Sequence, residues 1–216
     1  MTTSQTFDGF HPDALPFFRE LRENNERTFW LANKPRYDEH VKAPMVALGG
    51  ALEGAFGEPH LFRPYRDVRF SKDKRPYKLR VSMVFGGNGP MTVGSRYVQL
   101  DSAGLYAGGG AYMLAPEALA RFRVAVSEER SGTELVEVLT ELEQGGYAVE
   151  GETLQRPPRG FEADHPRIRF LKHKGLYVGR AFAPADWLYR PEALDRVAKV
   201  FGDVEPLVVW LRRHVG

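Results

Sequence analysis

The sequence has no cysteine, which excludes a disulfide scaffold, a thiolate metal site and a thiol nucleophile, and leaves packing alone to hold the fold. Net charge is also scarce: 30 Lys and Arg against 28 Asp and Glu leave +2, so no global field marks the chain for nucleic acid or an anionic surface. Long apolar runs are missing, with nothing approaching the roughly 18 apolar residues of a membrane helix. The N-terminus, MTTSQTFDGFHPDALPFF, has no basic segment leading into an apolar one. The expectation is a soluble, cytoplasmic protein with no membrane partner. The absence of thiols fits a reducing compartment.

What is present suffices for a core. With 43% apolar residues over 216 positions, a single domain spanning residues 1–216 is the expected organisation. His11-Pro12-Asp13 followed by Leu15, Phe18 and Leu21 predicts a helix that ends near Asn24-Asn25. A second helical stretch begins near Glu26, and Pro35, Pro44 and Gly49-Gly50 predict shorter helices there instead of one long one. Over residues 78–85, Leu79, Val81, Met83 and Phe85 alternate with Lys78, Arg80, Ser82 and Val84, the pattern of a half-buried strand. Residues 66–70 are its expected partner, with 71–76 as the connecting loop. A second strand pair is predicted around Ser102-Ala103-Gly104. Helices follow, carrying Leu119, Phe122 and Val126, then Leu135, Val138, Leu139 and Leu142. After a further strand over 175–182, the chain closes with helices bearing Leu194, Val197 and Phe201, then Leu207, Trp210 and Leu211. The predicted class is α+β: a mostly antiparallel sheet with helices packed on one face and helices at both ends.

Charge is concentrated in one place. Residues 63–80 hold eight Lys or Arg and two Asp, whereas the rest of the chain holds 22 basic and 26 acidic residues. Several donors that converge are needed to hold a phosphate or carboxylate, because one exposed cation is too well hydrated. Arg66, Arg69, Lys72, Lys74 and Lys78 are therefore the candidate ligand-binding cations, with Tyr77 as a hydroxyl donor. Asp67 and Asp73, beside so many cations, are expected to stay ionised and to orient them, a general-base role being the sharper alternative. The same cluster also reads as a solvated, self-paired turn that blunts an edge strand.

R-D-V-R-F-S-K-D-K-R-P-Y-K, residues 66–78, is very similar to the signature of a widespread microbial family of conserved hypothetical proteins, domain of unknown function 2461. Asn24-Asn25 with Phe29-Trp30, Asn33-Lys34 and Tyr37 resembles that family's N-terminal block. Gly108-Gly109-Gly110-Ala111-Tyr112 resembles its glycine-rich strand, and Arg159-Gly160-Phe161 through Asp164-His165-Pro166-Arg167 and Lys174-Gly175-Leu176-Tyr177 resembles a later block. The resemblance implies membership and brings no activity, cofactor or catalytic residue with it.

Other chemistry is thinly represented. The glycines at 108–110 could cradle a phosphate at a helix start, but no Gly-Lys-Ser/Thr follows, and close approach of a ring or strand is the preferred reading. His165 beside Asp164 is an acid/base candidate whose plainer reading is a loop residue before Pro166. The six histidines show no ligand spacing, so no metal site is expected, and no cofactor is indicated. The favoured expectation is an anionic small-molecule ligand at the basic hairpin, its activity open. Nucleic acid is one alternative; a structural or protein-interaction role with internally paired charges is another.

Overall fold

The protein is described by a computed structural model over residues 6–87, 89 and 91–216. Helices and a six-stranded antiparallel sheet make an α+β fold with helices at both ends. The strands are β1 (Pro59–Leu61), β2 (Arg80–Phe85), β3 (Ser95–Asp101), β4 (Gly104–Ala111), β5 (Ala148–Glu150) and β6 (Leu176–Phe182), ordered β1-β2-β3-β4-β6-β5. The chain divides into two compact units: residues up to Phe85 with Tyr97–Ala107 and Ala181–Lys199, and Gly86–Arg96 with Gly108–Arg180 and Val200–Gly216.

In the first unit, α1 (Ala14–Glu23) buries Leu15, Phe17, Phe18 and Leu21, and Asn24 ends it by returning its N–H to Glu20 O. The next helical segment differs from expectation. α2 (Arg27–Tyr37) runs through Pro35 and passes by a π-turn, Asp38–Lys42, straight into α3 (Ala43–Phe56). Shorter, separate helices were predicted; here the π-turn joins α2 and α3 without a break, and Pro35 lies inside α2 at the loss of one N–H. Gly49 and Gly50 lie inside α3. At Gly49 the reason is packing, because a Cβ there would stand 2.6 Å from Met83 Sδ on the adjoining strand.

β2 begins at Arg80, two residues later than the alternation suggested, and both its faces are buried from Val81 to Phe85. Its partner is β1 and not residues 66–70: Leu61 pairs Met83 and Pro59 pairs Phe85. A three-residue strand carries too little pattern to be seen in advance. β3 and β4 form the strand pair predicted around Ser102-Ala103-Gly104; β3 alternates half-buried and buried positions and turns into β4 at Ser102-Ala103, where Asp101 Oδ1 accepts Ala103 N–H at 2.7 Å.

In the second unit, α4 (Pro116–Ser127) and α5 (Glu129–Gln144) meet at Glu128. The tight junction is possible because Gly132 packs against Val126 O and Arg167, and Ser131 Oγ donates to Ala125 O at 2.6 Å. The C-terminal helix, α6 (Glu205–His214), buries Leu207, Val208, Trp210 and Leu211, and Trp210 Nε1 donates to Ser131 O at 2.9 Å. Gly109 and Gly110 give the backbone close approach: a Cβ would lie 2.7 Å from Val204 Cγ2 at the first and 2.5 Å from Leu176 O at the second, where φ is +143°.

Candidate functional site

The basic segment is a long hairpin loop on the first unit, and its two halves are held differently. At its root, Phe62 N–H donates to Ser82 O at 3.0 Å, continuing the β1–β2 register. Beyond that the register slips: Lys78 N–H donates to Pro64 O at 2.8 Å, Tyr65 bridges Tyr77, and Arg66 N–H donates to Pro76 O at 2.8 Å. One residue, Arg63, thus stands opposite three, Leu79, Arg80 and Val81. Such a bulge bends a strand pair and re-aims its side chains.

The root is also tied to the N-terminal helices. Asn25 Nδ2 donates to Tyr77 O and Asn25 Oδ1 accepts Tyr77 N–H, each at 3.0 Å. The Tyr77 ring stacks on Trp30 with centroids 4.3 Å apart and planes 11° apart, and Trp30 packs on Tyr37 at 4.8 Å. Tyr77, a predicted donor, is buried in this aromatic layer.

The tip is an ion-paired structure built twice. Asp67 accepts Arg69 N–H at 3.2 Å and the same residue's guanidinium at 3.0 and 2.7 Å. Asp73 accepts Arg75 N–H at 3.1 Å and its guanidinium at 2.9 and 2.8 Å, and takes Arg66 Nη1 at 2.6 Å besides. Each D-x-R triplet is a local turn in which the carboxylate binds the backbone two residues on, then the side chain of that residue. The Arg69 hydrogen bond lowers Asp67 below the usual carboxylate value. Asp73 is held far lower, by Arg75 first and Arg66 second. Both aspartates therefore hold guanidinium groups and are poor proton acceptors at neutral pH. Lys74 Nζ donates to Val68 O at 3.0 Å. Lys72 is exposed. Phe70, between the two triplets, is 96% exposed, with the Arg69 guanidinium 5.9 Å from its ring centroid.

The root carries cations of another kind. Lys78 is half-buried, its Nζ 5.4 Å from the Phe62 ring centroid. Burial, then the neighbouring Arg80 and Arg63 guanidinium groups, holds its amine below the ordinary lysine value. Among the described residues, none of Arg63, Lys78 and Arg80 has a carboxylate within ion-pair distance. In the sequence Arg63 and Arg80 count toward the basic cluster but not among the candidate ligand residues; the register slip, which no local pattern encodes, sets Arg63 opposite Leu79, Arg80 and Val81.

A second group on the same unit was hidden by separation in the chain. His11, Asp13 and His40 bring potential ligand atoms within 4.8 Å of one another. The imidazoles stack face to face, centroids 3.7 Å apart and planes 8° apart. Two parallel rings cannot aim their lone pairs at one ion. Asp13 is already bound by Arg36, which also reaches Glu20. The arrangement is a staple joining α1 to α2 and the π-turn. Arg36, then His40, lowers the Asp13 carboxyl to about 2.

His165 lies on the second unit, where its Nδ1 accepts Arg167 N–H at 3.1 Å. Arg167 is the buried member of that block: Nε donates to Val126 O at 2.7 Å, Nη2 to Ser127 O at 2.9 Å, and both terminal nitrogens reach Glu129. It closes the open carbonyl end of α4.

The long motif, the Asn25 and Trp30 positions that brace it and the Arg167 block all fall within residues 13–210, which match the family described as "Conserved hypothetical protein (DUF2461)". The chain belongs to this family. A search of curated proteins finds no match. In this member of DUF2461 residues 66–78 form the hairpin loop, and Asn25 and Trp30 hold its root. No helix among the described residues is long and apolar enough to cross a membrane.

Proposed function

We propose that the protein binds a small phosphate- or carboxylate-bearing anion at the root of the hairpin loop, with Arg63, Lys78 and Arg80 as the gripping cations. What supports this reading is the register slip that sets Arg63 opposite Arg80 beside the half-buried Lys78, with no carboxylate of the described residues within ion-pair distance of the three. Bringing like charges together raises the free energy of the loop, a cost that a bound anion relieves, and guanidinium forks beside an ammonium suit phosphate or carboxylate oxygens. Arg66 and Arg69, engaged by Asp73 and Asp67, serve to shape the loop. Lys72 and Lys74 add longer-range attraction. A soluble, cytoplasmic setting is part of the proposal. Inorganic phosphate at constant ionic strength is expected to raise the melting temperature of the wild type and to leave Lys78→Met unmoved; equal protection of both proteins overturns the reading.

One observation favours a second reading. The almost fully exposed Phe70, with the Arg69 guanidinium beside its ring, offers a face on which a nucleic-acid base can stack. That reading requires single-stranded oligonucleotide affinity that falls steeply with salt and is lost in Phe70→Ala. The twin ion-paired triplets also give the tip a purely structural role, in which phosphate and oligonucleotide both leave stability unchanged.

A further inference from the structure

We propose that the tip of the hairpin loop is a protein-docking knob, which inserts Phe70 into an apolar pocket rimmed with carboxylates on a partner protein. The inference concerns the tip and stands apart from the anion reading of the root.

Phe70 is the most exposed large apolar side chain among the described residues. It lies between the two D-x-R triplets, and these are tied to one another as well as closed on themselves. Lys74 Nζ reaches across to Val68 O at 3.0 Å, and Arg66 Nη1 donates to Asp73 Oδ2 at 2.6 Å and to Arg75 O at 3.2 Å. Beside the ring, Ser71 N–H donates to Val68 O at 3.3 Å. The chain on both sides of Phe70 is thus fixed before a partner arrives, and a fixed loop has already lost the freedom that binding would otherwise remove. A phenyl ring left in water adds nothing to its own fold. Buried in a partner's pocket, it is among the larger contributions that one side chain makes to an interface.

The charges around the ring define the pocket. Residues 66–75 carry five Lys or Arg and two Asp, so a surplus of three positive charges surrounds the apolar anchor, and the complementary surface is acidic. The Arg69 guanidinium stands 5.9 Å from the ring centroid, which joins an aromatic and an arginine, two residue types enriched in interfaces.

The same charges favour a protein over a nucleic acid. Arg66 and Arg75 are engaged by Asp73, Arg69 by Asp67, and Lys74 by Val68 O. To grip a phosphate backbone directly, these groups would have to leave the contacts that shape the tip. An acidic rim requires no such exchange, because the surplus charge acts on it through ion pairs left intact. Single-stranded binding also uses successive aromatic platforms, and residues 66–75 hold one aromatic residue.

The probe is the photo-crosslinking residue p-benzoylphenylalanine, placed at position 70 of the full chain in cells that make the protein. The control carries it at position 112, where Tyr112 is exposed on the second unit. Adducts are identified by peptide mass spectrometry, and the protein captured from position 70 is purified and titrated calorimetrically. The expected result is a protein adduct from position 70 that position 112 does not form. The purified partner is expected to bind the wild type less tightly as salt rises, and to bind Phe70→Ala at least about tenfold more weakly. Lys72→Glu, which sets an acid against the acidic rim, is expected to weaken binding as well. An unchanged melting temperature in Phe70→Ala separates lost docking from lost structure. The proposal is overturned by adducts to nucleic acid, by no adduct from position 70, or by the same adducts from both positions. A captured protein that binds Phe70→Ala as tightly as the wild type overturns it too. None of these outcomes bears on phosphate at the root.

Discussion

Asn25 and Tyr77, 52 residues apart, are joined by both hydrogen bonds that a side-chain amide can make to one backbone residue: Nδ2 donates to Tyr77 O and Oδ1 accepts Tyr77 N–H. The amide takes the place of a neighbouring strand at the point where the hairpin register has slipped. Two part-buried backbone groups depend on it. Asn25→Ala is therefore expected to lower stability by about 1–3 kcal/mol, the range for leaving such groups unsatisfied, read as a lower urea midpoint. Asn25→Asp keeps the acceptor and loses the donor, so its midpoint is expected to fall between the two.

Arg167 gives a stronger case in the second unit. Its guanidinium serves the last carbonyls of α4 and Glu129 while nearly buried. Arg167→Ala is expected to cost about 2–4 kcal/mol, since it strands acceptors and leaves a cavity. Arg167→Lys should recover little, a single ammonium being unable to reach several acceptors in one plane. Chemical denaturation of the three proteins measures this. An unchanged midpoint in the alanine variant contradicts the role.

Asp13 sets an acid limit. Its folded-state value, about 2, lies below the ordinary 3.8, so ionised Asp13 stabilises the fold in full above pH 3.8 and progressively less as pH falls toward 2. Arg36 provides the largest part of that effect, His40 adds to it, and Glu20 shares the guanidinium. Arg36→Met is expected to flatten the loss of stability between pH 4 and 2. Melting temperatures measured across that window test the sign.

Two glycines separate conformational freedom from fit. Gly50 is exposed within α3 with nothing within 4 Å of a built Cβ. Gly50→Ala is expected to stabilise by about 0.5–1 kcal/mol through helix propensity. Gly110 has φ +143° and the Leu176 carbonyl 2.5 Å from a built Cβ, so Gly110→Ala is expected to destabilise. Opposite shifts in thermal unfolding are the check.

The fold class was legible because amphipathic periods run through α1 and α5 and because short turns separate the strand-like segments. What escaped were features that depend on contacts distant in the chain. β1 is three residues long and acquires meaning only by pairing β2. The segment after Glu26 stays helical because a π-turn follows Pro35, and a proline alone announces only a break. In the basic segment the two D-x-R triplets were present in the letters, and their density of charge was visible. Which cations they occupy was not, because pairing depends on side-chain direction and density does not record it. Arg63 comes to stand opposite Arg80 only through the bulge. His11 and His40 meet across 29 positions of chain, beyond any motif spacing.

The central claim is that the cations at the root of the loop, and not those at its tip, hold an anion. Calorimetric titration of inorganic phosphate into the wild type, Arg80→Gln and Arg69→Gln tests it most directly. The account predicts a dissociation constant weakened at least about tenfold in Arg80→Gln, the loss of one charge-assisted hydrogen bond, and unchanged in Arg69→Gln. Binding that survives Arg80→Gln and disappears in Arg69→Gln would contradict it.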